Sequence, residues 1–185
     1  QRHVASIGKV KLSHLRQGKI GESETKAVIT ANHRLKEYWI YDRSAPTIED
    51  IVKMARRWKH KHDIQVLFVD YIQRIQGKGK ARHEQVGDVV RSLKTLARDL
   101  EIPVVALAQV SRQVESRQDV RPKMGDLSDS SEIEKEADQI ITMYRDDVYD
   151  NNTESQGICE LTIDKNRHGY TGTVDVRWIG EHVSF

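Results

Sequence analysis

The fold is decided by residues 65–109, which read QVLFVDYIQRIQGKGKARHEQVGDVVRSLKTLARDLEIPVVALAQ. Two short apolar runs, residues 65–70 and 103–109, flank a segment from about Glu84 to Leu100 whose apolar residues recur on one face of a helix. Each run is continuously apolar, which is typical of a strand buried on both faces of a sheet. A strand, a crossover helix and a second strand form a βαβ unit, so the sequence predicts two parallel strands.

Helical patterns precede this unit, and further strands follow it. Residues 22–37 place apolar side chains on one helical face, and Ser44 or Thr47 can cap a second helix that runs to about His62. A third strand, QIITMY, begins after Asp138, and two later ones, ICELTIDK and TGTVDVRW, resemble an antiparallel hairpin at the sheet edge. We therefore expect an α/β sheet with helices on both faces.

Composition indicates an ordinary soluble domain. The 185 residues are 31% charged and 37% hydrophobic, and neither a membrane span nor a secretion signal is evident, so we expect one compact intracellular domain over residues 1–185. The single cysteine, Cys159, excludes an intrachain disulfide and a thiolate metal cluster, and the histidine spacing does not favour a structural zinc. The chain opens with QRHVASIGKV rather than with methionine, as we expect of a fragment.

Charge is unevenly distributed along the chain. Residues 51–100 contain 12 Lys and Arg against five Asp and Glu, whereas residues 121–160 contain four against 11. Such asymmetry favours one surface that attracts polyanions and a second surface whose carboxylates serve a different function. The alternative is two solvated helix faces of opposite sign.

Two polar residues end the predicted parallel strands, where ligands bind in α/β sheets. Asp70 ends the first strand and fits a magnesium ligand in a nucleotide hydrolase; its alternative is a capping or loop aspartate. Gln109 ends the second and can donate and accept hydrogen bonds, which suits sensing a phosphate or a water. Its alternative is a satisfied polar group at a strand end.

A pair of cations, Lys165 and Arg167, ends the fourth predicted strand in the sequence DKNRHG. Residues two apart on a strand point the same way, so the pair could grip a phosphate. The alternative is an edge-strand pair whose charges block aggregation.

Several motifs together resemble a known family. In order along the chain they read VASIGKVKLSHLRQGKI, YDRSAPTIEDIVKMARRW, VLFVDYIQRI, PVVALAQVSRQVESRQDVRPKMGDLSDSSEIEKEADQIITMYRDDVYD and DKNRHGYTGTVDVRW. They closely resemble the ATPase domain of DnaB-type replicative helicases, at familiar spacings and over nearly the whole chain. The resemblance implies a RecA-like P-loop NTPase core: a mainly parallel sheet flanked by helices, with a C-terminal antiparallel hairpin.

The resemblance also implies roles for the strand-end residues. Asp70 falls at the Walker B aspartate, which positions the magnesium bound to ATP. Gln109 falls at the sensor glutamine, which links the γ-phosphate to the DNA-binding loops. Lys165 and Arg167 fall at the basic pair that reaches the neighbouring subunit's nucleotide, with Arg167 as the arginine finger. A finger supplied in trans makes hydrolysis depend on assembly.

By the same resemblance, the loops after Gln76 and Arg112 line a channel around single-stranded DNA. The DNA-binding candidates are Lys78, Lys80, Arg82, Arg112, Arg117, Arg121, Lys123, Ser128, Asp129 and Ser131. Relatives tend to carry an arginine, a glutamate and a glycine where residues 128–131 read SDSS. We therefore expect backbone amides, or Arg112, Arg117 and Lys123, to replace that arginine's phosphate contact.

The implied function is that of a hexameric replicative helicase, which couples ATP hydrolysis to 5′-to-3′ movement on single-stranded DNA. Its cofactors would be ATP and Mg²⁺. Its partners would be single-stranded DNA, other copies of itself, and a primase or helicase loader. It would be located in the cytoplasm of a bacterial or phage-infected cell. No GxxxxGK[ST] occurs in the 185 residues, and GKGK at residues 77–80 lacks the spacing. We therefore expect an incomplete core without its first strand and phosphate loop, which alone does not hydrolyse ATP.

Two other functions stay open on the sequence. One is a non-catalytic module with the same fold that binds single-stranded DNA or partners a helicase. The other is a metal-dependent nuclease built on Asp146, Asp147 and Asp150, since paired carboxylates at a strand end can hold two metals.

Overall fold

A computed structural model describes residues 1–35, 38–127 and 130–185 of the chain. The helices are α1 (Arg2–Gly8), α2 (Leu12–Gln17), α3 (Glu22–Arg34), α4 (Ile48–His62), α5 (Arg82–Leu100) and α6 (Ser130–Glu136). The strands are β1 (Leu67–Val69), β2 (Val104–Ala106), β3 (Gln139–Tyr144), β4 (Ile158–Asn166) and β5 (Gly172–Arg177).

Internal contacts divide the chain into two units. The central unit comprises Arg43–Thr142 and Thr162–Gly172, and the terminal unit comprises Gln1–Asp42, Met143–Leu161 and Thr173–Phe185. The strand–helix–strand segment and every described candidate nucleotide or DNA residue fall within the central unit.

Strands β1 and β2 are parallel neighbours, as predicted, with Leu67 opposite Val104 and Val69 opposite Ala106. The other three strands form a second sheet in the order β3-β4-β5. In that sheet, backbone hydrogen bonds of 2.9 Å from Arg167 to Asp138 and of 2.7 Å from Trp178 to Gly157 follow the antiparallel register. The α/β fold and its C-terminal antiparallel strands are therefore confirmed.

The core of the central unit is built mainly on helix α5, whose apolar residues recur every three or four positions. Val86, Val89, Leu93 and Leu96 are each at most 4% exposed. They pack with buried residues of α4, of the two parallel strands and of the turns that follow them. Burying side chains of this size contributes about 1.5–3 kcal/mol each.

Continuous apolarity led us to expect β1 and β2 to be buried on both faces, and this is wrong for the structure described. Leu67 and Val69 are buried on one face, but Phe68 is 66% exposed on the other. Val105 and Leu107 are 44% and 48% exposed. The physical reason is that α5 packs against one side of this pair, while no described element buries the opposite side.

Helix α4 is capped by Thr47, one of the two capping residues that the sequence predicts. The Thr47 hydroxyl accepts a hydrogen bond of 3.2 Å from the Asp50 backbone N–H, and the Asp50 carboxylate accepts one of 3.3 Å from the Thr47 N–H. The helix ends at His62 and is followed by Asp63, a residue in the left-handed conformation at φ 47°. This reciprocal capping satisfies two backbone donors that the first turn would leave free.

The terminal unit is organised around α1 and α3, which pack against each other. Ala5 and Ala31 are almost completely buried, because the helices approach closely and only small side chains fit between them. Lys11 pairs with Glu181 at 2.9 Å, which ties the start of α2 to the C-terminal turn of the chain. In the described ranges, no helix is both long enough and apolar enough to cross a bilayer.

Candidate nucleotide and DNA site

The segments that follow β1 and β2 are joined at the carboxyl end of the parallel pair. Ile72 donates a backbone hydrogen bond of 3.0 Å to Leu107, and Leu107 donates one of 2.9 Å to Val69. The Gln109 backbone N–H donates to the side-chain carbonyl of Gln73 at 3.1 Å. Asp70 and Gln109 therefore lie on neighbouring segments at one sheet edge, the edge where α/β folds bind ligands.

Asp70 presents its carboxylate to solvent. In the part of the chain that the structure describes, no side chain or backbone group pairs with it, and the residue is exposed. A single unshared carboxylate fits Mg²⁺, which binds few protein ligands and completes its shell with water and phosphate oxygens. The exposed Gln109 side chain is likewise able to donate and accept at the same edge.

The basic pair lies in a different part of the central unit, against the C-terminal end of helix α6. The ammonium of Lys165 donates to the backbone carbonyl of Glu134, and also lies 3.5 Å from that of Lys135. The Arg167 guanidinium donates to the Lys135 carbonyl at 2.6 Å. The last carbonyls of a helix have no partner within it, so two cations there are favourably placed.

Asp138 joins this arrangement from the residue before β3. One of its carboxylate oxygens lies 3.4 Å from the Arg167 guanidinium, and the other accepts a hydrogen bond from Lys94 on α5. The bond from Lys94 holds the pKa of Asp138 below its ordinary value, against partial burial, which acts the other way. Asp138 therefore stays ionised between two cations.

The loop after Gln76 folds over the first turn of α5 through its backbone. The Glu84 carboxylate accepts hydrogen bonds of 2.8 Å from the Lys80 N–H and 3.1 Å from the Ala81 N–H. These bonds keep the Glu84 pKa below its ordinary range. At Gly77, a Cβ atom would come within 2.2 Å of the Gln85 carbonyl oxygen, so this position requires glycine.

The two lysines of that loop and Arg82, the first residue of α5, differ in their surroundings. Lys78 pairs with Glu49 at 3.1 Å, and this bond raises the Lys78 pKa above its ordinary value. Arg82 donates to the backbone carbonyl of Gln73. Lys80 is exposed, and no side chain in the described ranges pairs with its ammonium. Lys80 is therefore the cation of this loop best placed to meet a phosphate.

The second candidate loop is closed at its base and cross-linked inside. Ser111 donates a backbone hydrogen bond of 2.8 Å to Asp126, so the ends of the loop meet. Arg117 grips the Asp126 carboxylate through both terminal nitrogens, at 3.1 and 2.6 Å. Arg121 and Lys123 lie 3.9 and 3.5 Å from the Asp119 carboxylate. Arg112, at the start of the loop, is exposed and pairs with no described side chain.

The remaining DNA-binding candidates follow this loop. Ser128 and Asp129 lie outside the described residues. Ser131 is exposed in the first turn of α6. Helix α6 thus connects the predicted DNA loop, at its start, with Lys165 and Arg167, at its end.

The acidic residues after β3 serve local structure in the terminal unit. Asp147 accepts from the Arg145 guanidinium at 3.0 Å and from the Gly157 N–H at 3.1 Å. Asp146 accepts from the hydroxyls of Tyr144 and Thr153. Among the described residues, no three or more His, Cys, Asp or Glu side chains are grouped to hold a metal ion. The nuclease alternative therefore finds no support in this loop.

The sequence did not predict that Asp138 and the carbonyls of α6 contact Lys165 and Arg167. Backbone carbonyls carry no signature in a sequence. Antiparallel pairing of β3 with β4 could have pointed to Asp138. In such a pair the residue that follows one strand lies beside the residue that precedes the other, and these residues are Arg167 and Asp138.

Comparison with known proteins gives one family. The sequence model of the DnaB-like helicase C-terminal domain matches residues 1–185. The replicative DNA helicase DnaB of Geobacillus stearothermophilus is 39% identical over 189 residues, and the replicative DNA helicase DnaC of Bacillus subtilis is 38% identical over the same length. Both alignments cover 100% of this chain and 42% of the relative, so the chain spans less than half of these proteins.

Solved structures agree with the sequence comparison. A DnaB-like replicative helicase, described with its interactions with primase, matches with a TM-score of 0.93 and 32% identity over 100% of this chain and 46% of that one. A second solved structure, that of an ATPase domain, matches with a TM-score of 0.91 and 32% identity, covering 98% of this chain and 66% of that one.

Proposed function

Since the chain belongs to the family of DnaB-like helicase C-terminal domains, we propose that it is the ATPase motor of a replicative DNA helicase. The family match over all 185 residues carries the proposal. In it, residues 1–185 are one incomplete RecA-like domain, and the protein that contains it moves 5′-to-3′ on single-stranded DNA in the bacterial cytoplasm.

The nucleotide part of the proposal rests on the edge formed by β1 and β2. Asp70 would supply a carboxylate to the Mg²⁺ of bound ATP, and its unshared, exposed carboxylate supports this role. Gln109 would sense the γ-phosphate from the neighbouring segment. No GxxxxGK[ST] occurs in these 185 residues, so the principal phosphate cradle would have to come from other residues.

The trans part of the proposal rests on the basic pair. Arg167 would act as the arginine finger of the neighbouring subunit's site, with Lys165 beside it, in a homohexameric ring. Both cations are held at the end of α6, and Arg167 remains 44% exposed. Charge that develops on a transferring phosphoryl group is stabilised best by a donor already in place.

The DNA part rests on the two loops that carry exposed cations. Lys80 and Arg112 would contact the phosphate backbone, while Arg117 and the other paired cations would shape the loops around it. Primase and a helicase loader would be further partners; one similar helicase is described with its interactions with primase.

The test uses the complete protein with Arg167→Ala, and Arg177→Ala on β5 as a matched control. We expect Arg167→Ala to lower DNA-stimulated ATP turnover by about 10³-fold or more, because finger removal costs that much, while ATP affinity is nearly unchanged. Arg177 is also exposed, so its removal should leave turnover near wild type. Wild-type turnover in Arg167→Ala would contradict the finger assignment.

The sequence also left open a second function, a non-catalytic module that binds single-stranded DNA, and the complete protein distinguishes the two. Such a module would bind DNA with the salt dependence of phosphate contacts and show no response to a nonhydrolysable ATP analogue. Analogue-stimulated binding by the complete protein would exclude it.

A further inference from the structure

Arg167 is fixed by contacts with a short segment that ends helix α6 and begins β3. Its backbone N–H donates to the Asp138 carbonyl at 2.9 Å. Its guanidinium donates to the Lys135 carbonyl at 2.6 Å and lies 3.4 Å from the Asp138 carboxylate. Residue 138 therefore holds Arg167 through both its main chain and its side chain.

These contacts orient the guanidinium without using up its donors. A guanidinium has five N–H groups in a rigid planar fork, and the contacts with Lys135 and Asp138 come from one terminal nitrogen each. Both contacts together fix the plane of the fork, whereas one alone would leave it free to rotate. The other N–H groups stay able to donate to a phosphate.

Asp138 is itself held on a rigid element. Its second carboxylate oxygen accepts from Lys94, whose ammonium extends from α5, the helix that carries most of the central core. Positioning groups work best when packing and further hydrogen bonds lock them in turn. Arg167 is thereby tied through Asp138 to the main core helix of the central unit.

We propose that Asp138 is a positioning residue for Arg167, orienting its guanidinium for the phosphate of a neighbouring subunit's nucleotide. The inference rests on the proposed function, in which Arg167 acts in trans. Asp138 touches neither nucleotide nor DNA in this role. It acts only through Arg167, so its loss should slow turnover and leave ATP binding intact.

The experiment measures kcat and KM for ATP of the complete protein, at saturating single-stranded DNA. For Asp138→Ala we expect kcat to fall about 10- to 100-fold with KM within about twofold of wild type, since a small misplacement of a catalytic group costs this much. Asp138→Glu, which keeps the charge, should recover part of the loss. If kcat of Asp138→Ala stays within about twofold of wild type, or rises, the proposal is wrong.

Asp99→Ala is the matched control. It removes another carboxylate, one that pairs α5 with Arg56 at 2.7 Å, and leaves the contacts of Asp138 and Arg167 in place. We expect its kcat to stay within about threefold of wild type. A fall as large as that of Asp138→Ala would show that loss of any ion pair of α5 slows turnover, and would overturn the proposal. If Asp138→Ala does not fold, Asp138→Asn is judged by the same criteria.

A double variant separates this proposal from the function on which it rests. If Asp138 acts through Arg167, adding Asp138→Ala to Arg167→Ala should change the remaining turnover by less than about twofold. A further large loss would overturn the positioning role. Wild-type turnover in Arg167→Ala alone would instead contradict the proposed role of Arg167 as the finger. If Arg167→Ala loses turnover and Asp138→Ala does not, only the role of Asp138 is rejected.

Discussion

Gly77 allows the first candidate DNA loop to pass close to the backbone of helix α5. An added Cβ would lie 2.2 Å from the Gln85 carbonyl oxygen and 3.1 Å from the Val89 Cγ2 atom. The nearer atom belongs to the backbone of α5, so no side-chain rotation can relieve the contact. Gly125, in the second loop, has no atom within 4 Å of such a Cβ.

We therefore expect Gly77→Ala to lower the free energy of unfolding by about 1–3 kcal/mol, the usual cost of overpacking. Urea unfolding followed by circular dichroism measures it. Gly125→Ala is the matched control and should stay within about 0.5 kcal/mol of wild type. Equal stability of the two variants would mean that the loop does not approach α5 as described.

At the scale of single elements, the first turn of α4 links stability to pH. The Thr47 side chain and the Thr47 backbone N–H hold the pKa of Asp50 below its ordinary value. The backbone N–H donates to the carboxylate at 3.3 Å, and such a bond favours the charged form. A carboxyl whose pKa is lower in the folded than in the unfolded state stabilises the fold above its unfolded pKa of about 3.9. That contribution is lost as the pH falls through the folded pKa.

We accordingly expect Asp50→Asn to be less stable than wild type at pH 7 and to approach wild-type stability as the pH falls below about 4. Urea midpoints at a series of pH values measure the difference. Asp175→Asn, which removes the same charge from an exposed position on β5, is the matched control. A difference for Asp50→Asn that is independent of pH would contradict the capping role.

The elements themselves were largely predictable, because their signals are local. Periodic apolar residues predicted α3 and α5, and β3 begins directly after Asp138 as predicted. The sequence offered Ser44 or Thr47 as the cap of α4, and the cap is Thr47. Burial of both faces of β1 and β2 was predicted wrongly. An apolar run indicates that its residues favour burial, but it does not show which other element would bury them. The 2.6 Å grip of Arg117 on Asp126 spans nine residues of irregular loop and follows no period.

For the candidate site, sequence supplied the residues but not their surroundings. Asp70 and Gln109 meet at one edge because parallel strands bring their carboxyl ends together, which topology predicts. The attachment of Lys165 and Arg167 to α6 depends on backbone carbonyls, which every sequence has. Roles in binding and turnover stay predictions.

For the whole molecule, the net charge of +2 conceals a basic stretch, residues 51–100, and an acidic one, residues 121–160. Each phosphate contact with single-stranded DNA releases counterions, so Lys80→Ala should weaken binding and reduce the slope of log K against log salt concentration by about 0.7. Lys61→Ala removes the same charge from an exposed position on α4 and should alter the slope of log K against log salt concentration less. Fluorescence anisotropy across a salt series measures both, and equal slopes would remove Lys80 from the DNA surface.

The uncovered face of β1 and β2 has a practical consequence for work with these 185 residues alone. Phe68, its strand partner Val105 and nearby Leu107 present exposed apolar surface, and such a patch favours association between molecules. A solution of the purified polypeptide should bind a hydrophobic dye such as ANS while folded, and scatter more light as its concentration rises. Replacing Phe68 with a lysine would then be a reasonable first step towards a monodisperse sample.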